Sequence, residues 1–259
     1  MSERSRTLII DKPEDLWHSS TRRSFLRLLG VGGTIALVPG VFAACGDDDP
    51  TAPNNGTGAQ LDLSTDIGIF NYAYALEQLE AAFYSAVVGA ANFATLFSDA
   101  GERELLTDIR NHEIAHREFL KMALGSSAIP ALALNSTTVA ALIADRATIL
   151  RNAQTFEDLG VAAYNGAGKQ LKDGRNLLVA GKIVSVEARH AAAIRDVRDT
   201  TGRAFAGDDV VNANGLDVKM EPGAVLARVT ALNLVTTQIN VSKQPTDAAT
   251  ADQAAPAAS

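Results

Sequence analysis

Glu113-Ile114-Ala115-His116 and Glu187-Ala188-Arg189-His190 are the two stretches whose reading decides this chain. Each sets a carboxylate and an imidazole three residues apart, which on a helix places both on one face. The chain has four histidines, and these motifs use two of the three that follow the N-terminal segment. One Glu-x-x-His on a helix is weak evidence of a site. Two of them, each on the second helix of a similar helical pair, point to a dinuclear metal site.

The helices before the motifs carry a second echo. Glu77 is followed seven residues later by Tyr84, in Ala75-Leu76-Glu77-Gln78-Leu79-Glu80-Ala81-Ala82-Phe83-Tyr84. Glu157 is followed at the same interval by Tyr164, in Phe156-Glu157-Asp158-Leu159-Gly160-Val161-Ala162-Ala163-Tyr164. The two Glu/Tyr pairs are offset by 80 residues and the two Glu/His pairs by 74. The chain therefore reads as two helical hairpins, each offering Glu-x6-Tyr and then Glu-x-x-His, an internal repeat with chemistry in it.

This arrangement resembles the ferritin-like di-iron or di-manganese carboxylate bundles, in which two helices each give one Glu and two each give Glu-x-x-His. Within that group, residues Phe156 to Tyr164 and Val186-Glu187-Ala188-Arg189-His190-Ala191-Ala192 look like the desiccation-related ferritin-like proteins. The resemblance covers residues 62–200. It implies an all-α fold, a four-helix bundle with a long crossover between its second and third helices. It also implies six metal ligands: Glu77, Glu113, His116, Glu157, Glu187 and His190. No catalytic residue is expected beyond them. Seven residues of helix separate each tyrosine from its own glutamate by about 10.5 Å. The resemblance instead suggests that Tyr84 and Tyr164 each reach a glutamate on another helix.

Four carboxylates and two neutral imidazoles balance the charge of two divalent cations. Hard oxygen donors with some nitrogen suit iron or manganese, whereas a thiolate-rich set would suit zinc or copper(I). Without metal the four glutamates repel one another and their pKa values should rise. Metal loading should therefore couple to bundle stability.

Glu80 shares a helix face with Glu77 and is a possible alternative ligand. The tyrosine spacing favours Glu77, which leaves Glu80 as a surface or bundle-edge acid. Its counterpart in the second half is Gly160. A helix-interior glycine costs about 1 kcal/mol relative to alanine, so Gly160 is expected to make room beside the metals, with access for O2 or peroxide as one use. His112 points about 100° away from Glu113 on the helix and reads as a surface or packing histidine.

The N-terminus carries a different kind of signal. Thr21-Arg22-Arg23-Ser24-Phe25-Leu26-Arg27 resembles the twin-arginine export motif. The apolar stretch that follows, through Ala44, is short and is interrupted by glycines and Pro39, which argues against a transmembrane span. Val41-Phe42-Ala43-Ala44-Cys45 resembles a lipoprotein processing site in which Cys45 becomes a lipid anchor, although Phe42 departs from the usual aliphatic residue. Ordinary cleavage near Ala43 or Ala44 is the alternative. Cys45 is the only cysteine, so no intramolecular disulfide can form. The resemblance places the protein at the cell envelope, tethered to a membrane, and the twin-arginine route would let a folded, metal-loaded protein be exported.

Residues 1–44 read as the signal, 45–61 as a flexible polar tether, 62–200 as the bundle, 201–241 as a C-terminal extension and 242–259 as a disordered tail. The net charge is −7, and −9 once residues 1–44 are removed. An acidic chain with no basic run is a poor candidate for nucleic acid. Ala-rich stretches of helical period lie at roughly 65–90, 99–124, 138–172 and 176–200. The thirteen residues between the second and third could span about 43 Å, enough for the crossover. The segment before Phe156 is a short extra helix or an extension of the third helix. Glu221-Pro222 opens a helix toward Leu234, which packs on the bundle or on a second subunit of a homodimer.

Three functions follow. The first is an exported di-metal protein with two iron or manganese ions, reacting with O2 or hydrogen peroxide in stress protection or iron handling. The second is a manganese catalase-like enzyme on the same ligands. The third is a non-enzymatic bundle that metal only staples. A closed storage cage fits poorly with a lipid anchor and a C-terminal extension, and no electron-donor motif is present.

Overall fold

Five helices begin where a short polar side chain accepts a hydrogen bond from the first turn, which replaces a missing intrahelical partner and contributes about 1 kcal/mol each. In the computed structural model, which describes residues 58–199 and 201–244, Thr65 caps α1 (Asp66–Gly89) through the Gly68 amide. After the single-turn α2 (Phe93–Leu96), Asp99 caps α3 (Ala100–Leu124). Asn135 caps α4 (Ser136–Leu142), Asp145 caps α5 (Arg146–Ala167) and Asp173 caps α6 (Gly174–Arg198). Helix α7 (Pro222–Ala231) has proline in its first turn, where the missing N–H costs nothing.

The fold is an all-α four-helix bundle with a C-terminal helical extension. Helix α1 pairs with α3 and α5 pairs with α6, and the two hairpins meet along α1 and α5. From Gly68 to Val87 only Ala82 and Ser85 of α1 escape burial. A helix buried all round is the central strut of a bundle. Tyr72, Phe83, Leu106, Ile109, Leu120, Ile149 and Ile194 are fully enclosed in the core.

The crossover starts at Gly125, whose φ of +53° suits glycine. It is held against α1 by two buried amides. Asn71 donates to the Ser127 carbonyl and accepts from the Ile129 amide, at 2.8 and 2.7 Å. Gln78 accepts from the Leu132 amide at 2.8 Å. The helical stretch expected at 138–172 is divided: α4 ends at Leu142 and α5 begins afresh at Arg146. Asp145 bonds the Thr148 amide and hydroxyl, and this local bonding favours a new helix start over continuation.

The extension is fastened to α5. The Met220 amide donates to the Ala162 carbonyl at 2.8 Å, and α7 packs on the same helix. Arg195 of α6, 4% exposed, bonds Asp158 of α5 and Asp209 of the extension. Beyond α7, β2 (Ile239–Lys243) pairs in parallel with β1 (Ala59–Asp62) at the foot of α1. The boundaries placed at 61/62 and 241/242 therefore run through strands, and residues 59–61 are not tether: Ala59 and Leu61 are wholly buried. Each strand offers only two alternating apolar residues, too few for a period-two pattern to register. The signal at 1–44, Cys45, residues 46–57 of the tether and residues 245–259 of the tail lie outside the described residues. No described helix is long and apolar enough to cross a membrane.

Candidate metal centre

Helical spacing carries the six motif residues to the middle of the bundle. Helix α1 supplies Glu77, α3 supplies Glu113 and His116, α5 supplies Glu157, and α6 supplies Glu187 and His190. All four carboxylates are completely inaccessible to solvent. His116 Nδ1 lies 2.9 Å from Glu187 Oε1, 3.4 Å from Glu77 Oε2 and 3.7 Å from Glu113 Oε2. His190 Nδ1 lies 2.8 Å from Glu113 Oε1, 3.4 Å from Glu157 Oε2 and 3.8 Å from Glu187 Oε2.

These residues form two overlapping groups, Glu77/Glu113/His116/Glu187 and Glu113/Glu157/Glu187/His190. Within each group the candidate donor atoms all lie within 4.8 Å of one another. Glu113 and Glu187 belong to both, and two cations would share them, with Glu77 and His116 completing one group and Glu157 and His190 the other.

Whether a metal pair fits can be tested on the polar atoms themselves. Glu77 Oε2, both oxygens of Glu113 and of Glu187, Glu157 Oε2 and the Nδ1 atoms of both histidines are buried without a properly oriented hydrogen bond. Leaving so many polar atoms buried and unpaired would be costly. The N···O separations bring these atoms together in two groups without a hydrogen bond between them. The oxygen-rich set, with one imidazole per group, fits hard divalent cations.

The tyrosines complete the repeat. Tyr84 of α1 donates to Glu157 Oε1 of α5, and Tyr164 of α5 donates to Glu77 Oε1 of α1, each at 2.5 Å. Each hydroxyl occupies one carboxylate oxygen and leaves the other free to face the centre. Burial and the adjacent Glu157 push the Tyr84 hydroxyl well above its ordinary value, and burial and Glu77 do the same for Tyr164. Both therefore remain donors.

A family model described as a ferritin-like domain matches residues 65–200, more than half of the chain. The chain belongs to the ferritin-like domain family. No curated protein matches its sequence.

Two residues of this ferritin-like centre stand elsewhere than their sequence reading placed them. Glu80 is not a surface acid: it is 4% exposed, and Oε2 has no partner. Because α1 is buried on every side, an acid one turn from Glu77 has no solvent face to occupy. Its Oε1 lies 3.0 Å from where a Cβ on Gly160 would stand, and Glu187 Oε2 lies 3.6 Å from the same point. Glu80 thus occupies the room that Gly160 leaves, and both residues line a small cavity with Leu76, Leu79, Phe156, Leu159 and Val229. Burial, then the charges of Glu187, Glu113, Glu77 and Glu157, push its carboxyl well above the ordinary range.

His112 is exposed, as expected, but it also touches the centre. Its Nδ1 lies 2.9 Å from Nε2 of His190, the nitrogen that faces away from the carboxylates. The contact crosses from α3 to α6 over 78 residues of sequence, so no local spacing announces it. The only hint is a third histidine next to a Glu-x-x-His in a chain with few.

Without metal the centre stores protons. Burial and then the charge of Glu187 raise Glu113 to about 7, and burial with the charge of Glu113 raises Glu157 to about 8 despite His190. Burial opposes the charge on His190, but Glu113, Glu157 and Glu187 outweigh it and push the imidazole up to about 12. His116 is raised well above its ordinary value by Glu77, Glu113 and Glu187, again against burial. The two imidazoles in turn outweigh burial at Glu187 and lower it to about 2.

Proposed function

We propose that this protein is an exported, membrane-tethered di-metal protein that binds two iron or manganese ions and reacts with O2 or hydrogen peroxide, in stress protection or iron handling. The motifs around Glu157 and Glu187 resemble those of desiccation-related ferritin-like proteins. One observation carries the proposal: two four-residue donor groups share Glu113 and Glu187 in a cluster whose four carboxylates are wholly buried and whose donor atoms lack hydrogen-bond partners. Bound there, an iron or manganese pair would supply redox chemistry toward O2 or peroxide.

The chain's own residues then have defined tasks. Glu77, Glu113, His116, Glu157, Glu187 and His190 hold the ions. Tyr84 and Tyr164 fix the carboxylates of Glu157 and Glu77, and the enclosing helices keep bulk water out. The export part rests on the resemblance of Thr21–Arg27 to a twin-arginine motif and of Val41–Cys45 to a lipid-attachment site. Retention of the protein in the membrane fraction, and its loss from that fraction on Cys45→Ser, would support it.

The decisive experiment is purification of residues 46–259 from cells supplied with iron and manganese, with elemental analysis per chain. Close to two ions supports the reading, and no uptake even on reconstitution overturns it. Two iron ions with O2-dependent oxidation identify ferroxidase-type chemistry. Two manganese ions with O2 release from peroxide identify a catalase-like enzyme. Two ions that react with neither make the metal a structural staple.

A further inference from the structure

We propose that His112 is a positioning residue for the metal centre. It holds the His190 ring with Nδ1 toward the carboxylates, and it makes the Glu157/His190 half of the centre a tighter cation site than the Glu77/His116 half. The inference rests on the cluster binding a pair of cations.

An imidazole that gives Nδ1 to a metal carries its hydrogen on Nε2, and that N–H needs an acceptor to fix both tautomer and ring orientation. His190 has one in His112 Nδ1, at 2.9 Å. The two ring planes differ by 5°, and their centroids are 5.2 Å apart. That separation is close to the N···N distance lengthened by the two ring radii, so the rings meet edge to edge in one plane. This is the geometry of a straight N–H···N bond and not of face-to-face stacking. The bond joins α3 of the first hairpin to α6 of the second, with one end at the centre and the other at the exposed surface.

The repeat makes the other half a built-in control. The residue before Glu187, where His112 precedes Glu113, is Val186, whose side chain offers no acceptor. The ligand sets at the two ends are otherwise matched: one terminal glutamate braced by a tyrosine, one histidine and two shared glutamates. The centre is symmetric in its ligands, and two neighbours break that symmetry: His112 against Val186, and Glu80 against Gly160, of which only His112 contacts a ligand histidine.

The test uses the full-length protein, stripped of metal and titrated with manganese(II) by calorimetry, as wild type, His112→Phe and His112→Asn. Phenylalanine keeps a flat ring without an acceptor, and asparagine returns an acceptor near the place of Nδ1. Loss of such a supporting partner commonly weakens metal binding by about 10- to 100-fold. That loss is expected in one of the two binding steps for His112→Phe, with recovery in His112→Asn. Nitrogen-15 spectra of the zinc-loaded protein should show His190 protonated at Nε2, with its proton shifted downfield in wild type and not in His112→Phe. Unchanged binding in His112→Phe, or equal weakening of both steps that asparagine does not restore, overturns the proposal. If wild type binds two ions while His112→Phe binds them equally well, only this inference falls. If wild type binds none, the di-metal reading falls with it.

Discussion

At the scale of single residues, the shared and terminal ligands should behave differently. Glu113 stands in both donor groups, whereas Glu77 stands in one. Glu113→Ala is expected to lose both ions and the thermal stability they confer, while Glu77→Ala retains about one; elemental analysis beside melting curves reads both outcomes. Two ions in Glu113→Ala would contradict the ligand assignment. Glu80→Gln should keep two ions per chain, because Glu80 lies outside both groups. Its loss of an ion would instead make Glu80 a ligand. The motif residues were legible because helical period alone puts Glu and His on one face. The position of Glu80 was not, since a residue's exposure depends on whether its helix has any exposed side. His112 escaped for a related reason: its partner lies on a helix of the other hairpin, and only the packing of α3 near α6 brings them together.

At the scale of elements, the sequence announces helices better than it announces their ends and attachments. The four long helices were legible from apolar period. The break between α4 and α5 depends on one capping residue, Asp145, and the β1/β2 pair on four or five residues at opposite ends of the described chain. How the extension meets α5 is likewise a matter of one close approach. A Cβ on Gly166 would stand 1.8 Å from the Met220 carbonyl oxygen, in a residue whose amide already anchors it to the Ala162 carbonyl. Gly166→Ala should therefore displace residues near 220 and destabilise the fold by about 1–3 kcal/mol, as overpacking does. Denaturant titration measures this, with Gly181→Ala as the comparison because nothing lies within 4 Å of a Cβ there. Equal stability of the two variants would show that the extension does not rest on α5 as described.

At the scale of the whole molecule, the buried cluster ties folding, proton uptake and metal binding together. Glu113 and Glu157 rise from 4.5 to about 7 and about 8 in the folded, metal-free chain. The folded state then binds more protons than the unfolded one, so their contribution is fully present below 4.5 and is lost as pH climbs through those values. His190, raised from 6.5 to about 12, and His116, raised in the same direction, act with the same sign at higher pH. Glu187 acts oppositely, but its contribution is lost only as pH falls from 4.5 through about 2. The melting temperature of the metal-free protein should accordingly fall as pH rises from 4.5 to about 8. Bound cations displace the same protons, so the loaded protein should show a flatter profile over that window, and its affinity for manganese(II) should increase with pH. Adding manganese(II) to weakly buffered metal-free protein should release protons that a pH-stat can count. A metal-free melting temperature that holds level or rises across the window, or loading without proton release, would mean that the cluster folds with its carboxylates already ionised. The stability of the bundle would then have to come from helix packing alone, with the metal centre added to a core that does not depend on it.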